Sequence, residues 1–72
     1  MERTEWVQTF ANALDVQVPS ENEVDKILKL AGIAAHASER TSAPIACWIA
    51  AQSGRPTDEV IEIATQVTDS LP

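Results

Sequence analysis

Apolar positions along this chain recur every three to four residues in four separate stretches, the spacing of helices that bury one stripe. Trp6, Phe10, Ala13 and Leu14 mark the first stretch, over about 2–14, with Glu2 and Glu5 near the positive end of its dipole. Pro19 lies in the segment that ends it. Val16 and Val18 alternate there as a strand would, but two valines are too few and a lone strand has nothing to pair with. Ser20 with Glu23 three residues on is a capping box that opens the second helix. Its stripe is Val24, Ile27, Leu28, Ala31 and Ala35, widened by Leu30, Ile33, Ala34 and Ala37, and it ends near Ala37. Asp25 and Lys29 are spaced for an i,i+4 ion pair on the wet face.

A corner, His36 to Ser42, leads into the third helix. Ser42 is placed to cap it, Pro44 fits its first turn, and Gly54 stands where a left-handed residue would close it. The fourth helix starts near Thr57, has Asp58 and Glu59 in its first turn, and carries Val60, Ile61, Ala64, Val67 and Leu71 as its stripe. The pattern predicts a single all-α domain over 1–72, a compact bundle of four short helices. Trp6, Phe10, Leu28, Ile45, Ile49 and Val67 are its expected core.

Helices two and three stand out. Alanines at 31, 34, 35 and 37 on one, and at 43, 46, 50 and 51 on the other, let two backbones approach closely and predict a tight pair. The third helix is apolar nearly all round, which normally means burial at the centre of a fold. In so small a domain its neighbours need not cover every side, and the alternative is that one side, with Trp48, rests on a partner or a second copy.

Size sharpens that alternative. A chain of 72 residues holds together with a margin on the order of 5 kcal/mol, and domains this small usually need a staple. The single cysteine, Cys47, allows no internal disulfide, and with one histidine, His36, it cannot complete a zinc site. No acidic loop has the spacing of a calcium site. An oligomer or partner contact is what remains. Eleven acids against five bases, a net charge of −6, oppose nucleic acid and anionic membrane as partners. The first residues contain no apolar stretch of the signal-peptide kind, the longest nearly apolar run, 43–51, is too short to span a bilayer, and the lone thiol points to the cytoplasm.

Candidate chemistry is sparse. The carboxylates Glu21, Glu23 and Asp25, and Asp58, Glu59 and Glu62, fall in first turns, where acids simply complement the helix dipole. Two glycines, Gly32 and Gly54, build no phosphate loop. Cys47 sits mid-helix among apolar residues and reads as a small hydrophobe. Only the corner concentrates polar groups. There His36 and Arg40 could satisfy the last carbonyls of the second helix, or Arg40 could pair with Glu39 or an acid of the fourth. Alternatively Arg40 and His36, beside the free N–H groups opening the third helix, form a site for an anion or an acidic partner. No nucleophile or positioned carboxylate accompanies His36, so no catalysis is expected, and no cofactor or metal.

The run Ala35-His36-Ala37-Ser38-Glu39-Arg40-Thr41-Ser42-Ala43-Pro44 resembles the centre of a small bacterial family of helical domains of unknown function. That pattern reads Ala-His-x-x-Glu-Arg-Pro-Ala-Ala-Pro, followed by an apolar helix ending in Gly. The stretch Trp6 to Leu14 is similar to the family's opening. Thr41 stands where the pattern often has Pro, and Asp15 where the first helix usually ends in Gly. The resemblance carries His36, Glu39, Arg40 and Pro44 over as positions without roles. Members stand alone, are fused to molybdenum cofactor guanylyltransferase, or are encoded near formate dehydrogenase accessory proteins. The resemblance therefore implies an accessory role in molybdenum-cofactor maturation and not an activity. Taken with the residues themselves, the expectation is a non-enzymatic module that binds a protein of that pathway through the corner, with His36, Glu39 and Arg40, and through an exposed side of the third helix with Trp48. A binder of a small anionic ligand at the corner and a structural homodimer are the alternatives.

Overall fold

A computed structural model describes residues 1–71 as four α-helices: α1 (Arg3–Ala13), α2 (Glu21–Ala37), α3 (Ser42–Ser53) and α4 (Thr57–Ser70), with no strand among the described residues. Local chemistry sets most of the boundaries. The Glu2 carboxylate accepts from the Glu5 N–H at 2.9 Å and so caps α1 from outside the helix. α1 stops where Asp15 turns left-handed at φ 60°, a conformation that favours glycine but that aspartate tolerates better than most residues. That backbone supplies a physical reason for Gly at this place in the pattern the corner resembles. Ser20 caps α2 as expected, its Oγ accepting from the Glu23 N–H at 3.1 Å. Gly54 closes α3 at φ 68°.

Ser42 does not cap α3. It lies inside the helix, and the preceding Thr41 is already helical, at φ −67° and ψ −13°, with no side-chain cap. The tight corner makes a cap unnecessary, because the N–H groups of Ser42 and Ala43 donate to the Glu39 and Arg40 carbonyls at 2.9 and 3.1 Å. Nor do Asp25 and Lys29 pair. The α2 ion pair is Lys26 with Asp58, 3.0 Å away at the start of α4, and beside it the Thr57 hydroxyl donates to the Glu23 carboxylate. The second half of the capping box is thus a link between helices.

α2 is the hub, packing against α3 on one side and α4 on the other, with no comparable packing between any other two helices. Glu23, Ile27 and Leu30 meet Cys47, Ala50 and Ala51, while Ala37 and Ser38 meet Ser42 and Ile45, so α3 runs antiparallel to α2. Glu23 meets Thr57 and His36 shares a cleft with Thr68 and Asp69, so α4 runs parallel to it. The inner side of α3 is made of Ala43, Ala46, Cys47 and Ala50, all part-covered, which is the small-residue contact with α2 that the alanine pattern predicts. α1 sits at the opening of α2, where Val7 lies with Val18, Pro19 and Val24 around a cavity of about 100 Å³.

The core is far smaller than the apolar pattern implies. Among the described residues only Ala11, at 7 % exposure, and Leu30, at 4 %, are buried. Trp6, Phe10, Leu28, Ile45, Ile49 and Val67, all expected in the core, are each at least half exposed. α3, expected either at the centre or partly open, has no buried residue. The reason is architectural. A stripe needs a neighbour across from it, and α2 is the one helix with neighbours on two sides. The molecule measures 42 × 24 × 19 Å with a radius of gyration of 13.2 Å, against about 11 Å for an ordinary globule of this length.

Candidate functional site

The corner that links α2 to α3 displays its polar side chains without engaging them. His36 and Arg40 are exposed, and neither side chain closes the end of α2, whose Ala34 carbonyl accepts instead from the Ser38 backbone N–H at 3.1 Å. Among the described residues the Arg40 guanidinium makes no ion pair, the two pairs being Lys26–Asp58 and Arg55–Glu59. Glu39 accepts a long, 3.4 Å bond from the Thr41 hydroxyl. His36 points away from α3 into a cleft of about 370 Å³ between α2 and α4, with Gly32, Thr65 and Asp69. The backbone donors at the start of α3 are used within the corner, and Pro44 has none. An anion at this corner would therefore find side chains and few free amides.

Trp48 is elsewhere. It lies in the middle of α3 on the side facing away from α2, at 66 % exposure. No residue of α3 carries a charge. The four residues singled out from the sequence thus occupy two places. Glu39 and Arg40 sit at the corner with Trp48 further along the same outer helix, while His36 faces α4. Burial pushes the Cys47 thiol above its ordinary pKa, which keeps it neutral and a poor nucleophile. No three His, Cys, Asp or Glu side chains among the described residues come together as a metal site. No helix among them is long and apolar enough to cross a membrane.

A feature not anticipated is an apolar groove between α3 and α4, floored by α2. Two adjoining cavities of about 280 and 380 Å³ share Leu30, Ala46, Ile49 and Ala64, and extend toward Ile63 at one end and toward Ile45, Val67 and Leu71 at the other. A second apolar surface is the outer ridge of α1. There Trp6 and Phe10 stack with ring centroids 5.0 Å apart, and Leu14 follows one turn on. The signals were present in an α3 without charges and in the α4 stripe. That α3 and α4 would flank α2 without closing on each other is a tertiary fact that no local pattern encodes.

Residues 1–71 match the model of a family described as a domain of unknown function, DUF6457. No curated protein and no solved structure matches the chain.

Proposed function

The chain belongs to this family of domains of unknown function, and from that premise we propose that it is a non-enzymatic interaction module whose docking element is the outer face of α3. The observation that carries this reading is Trp48, 66 % exposed at the middle of a helix without a charged residue. Tryptophan is the side chain most enriched among residues that dominate binding energy, and a charge-free surround imposes little desolvation cost on docking. Arg40, whose guanidinium forms no ion pair among the described residues, adds a charged fork for an acidic group at the rim, just before the same helix. The partner class comes from the resemblance of the corner to domains fused with molybdenum cofactor guanylyltransferase, which makes an enzyme of molybdenum-cofactor maturation the partner of choice.

The test is calorimetric titration of the chain, and of its Trp48→Ala variant, into purified molybdenum cofactor guanylyltransferase from the same organism. Binding with a negative heat-capacity change is expected, weakened at least about 30-fold in the variant. No binding by the native chain would end the pathway assignment. Equal binding by the variant would end the role of α3.

A further inference from the structure

Besides the Trp48 face, the chain carries two unpartnered apolar surfaces of opposite shape. One is convex, the α1 ridge of Trp6, Phe10 and Leu14, and the other is concave, the groove between α3 and α4 around Leu30, Ile49 and Val67. No α1 residue lines the groove. We propose that a second copy of this chain fills it, each protomer laying its α1 ridge into the groove of the other to form a two-fold symmetric dimer.

Area argues for an occupant of this size. The chain exposes 5635 Å², whereas a folded monomer of its mass exposes about 4,400 Å². The surplus, roughly 1,200 Å² per chain, exceeds the ~800 Å² per partner of a standard interface, and two copies covering it reach the range of obligate homodimers. Lengths match as well. The 11 residues of α1 extend about 16 Å and the 12 of α3 about 18 Å. Charge decides where two copies, each at −6, can meet. The ridge residues are uncharged, α3 has no charge at all, and the one charged side chain lining the groove is a cation, Arg55, so ridge and groove lining bring no two acids together. A foreign partner would have to cover ridge and groove separately. A second copy covers both with one contact repeated by symmetry.

The inference rests on the reading of the apolar surface as an interface, but it uses a different face from Trp48. The experiment is sedimentation of the full chain from micromolar to millimolar concentration. The mass should rise from 7.8 kDa to twice that value. Phe10→Glu on the ridge and Ile49→Lys in the groove should each raise the dissociation constant at least about 30-fold, with helicity by circular dichroism unchanged. Mixing the two variants should restore association, because one native ridge meets one native groove and the other contact becomes a glutamate–lysine pair. Should either variant lose its fold, Trp6 emission in the Trp48→Phe chain gives the same answer, shifting to the blue as concentration rises. Three results would overturn the proposal: a native chain monomeric at every concentration, a dimer that survives Phe10→Glu, or a monomer whose Trp6 emission is already blue. A monomer that still binds the maturation enzyme through Trp48 would end this inference alone. A dimer that binds no such enzyme would uphold it and end the pathway assignment.

Discussion

α2 and α3 are both alanine-rich helices joined by one corner, and α3 is the more apolar of the two, yet the single buried residue between them, Leu30, is on α2. α2 carries three acids and two lysines along with its stripe, and it is central because helices pack on two of its sides. α3 has one neighbour, so its outer side stays in water whatever its composition. Hydrophobicity states what a helix would gain from burial. The number of neighbours decides how much of that gain is realised, and in a four-helix chain with α1 displaced to one end the neighbours run out. Under the two proposals above, the apolar surplus on α3, and on α1 likewise, is surface awaiting another chain.

The sharpest way to break this comparison is to truncate one side chain on each helix. Leu30→Ala should cost about 2–5 kcal/mol, since Leu30 is 4 % exposed and floors the groove. That approaches the whole stability, on the order of 5 kcal/mol, of a domain this size, so the variant should be largely unfolded by circular dichroism at room temperature. Ile49→Ala, on a side chain 58 % exposed, should cost about 1 kcal/mol or less in urea melts at concentrations where the chain is monomeric. Equal losses at the two positions would mean that α3 is as much core as α2, and the contrast would fall.

Helix ends were legible in the sequence because their causes are local. Ser20 with Glu23, Pro19, and Gly54 each act within a turn of their own position, and the structure has α2 and α3 begin or end beside them. Burial was not legible, because the stripe at Trp6 and Phe10 has the period of a buried face whether or not anything lies against it. The corner was legible as polar and illegible in detail. Whether Ser42 caps depends on the backbone of Thr41, and whether Glu23 turns back on Ser20 or across to Thr57 depends on where α4 begins. The groove depends on three helices at once, and nothing in the period of one of them implies it.

A smaller effect sharpens the account of the ends. Gly54 and Asp15 are both left-handed, at φ 68° and 60°, and both end a helix, but only one is glycine. Gly54→Ala should lose about 1–2 kcal/mol from the backbone alone, as a Cβ there would meet no atom within 4 Å. Asp15→Gly should move the other way, gaining a few tenths to about 1 kcal/mol. Thermal melts of both variants check the pair of signs. A gain for Gly54→Ala would remove the left-handed backbone as the cause.

The smallest expected effect is at the junction of the two helices. The Arg40 guanidinium is exposed and pairs with no acid among the described residues, so Arg40→Ala should change stability by less than about 0.5 kcal/mol. A loss of about 1–3 kcal/mol would instead mean that the guanidinium satisfies buried acceptors, and would return Arg40 to a structural role. Binding separates the remaining roles. With stability unchanged, a loss of affinity for the maturation enzyme would mark Arg40 as a recognition residue. Arg40→Lys then tells fork from charge, because lysine keeps the charge and loses the planar pair of donors that grips a carboxylate. Affinity lost in the alanine variant and kept in the lysine variant would mean attraction at the rim, which added salt would weaken. Affinity lost in both would mean a bidentate grip, and α3 would then read as a helix with a polar hook at its start and an apolar anchor, Trp48, at its middle.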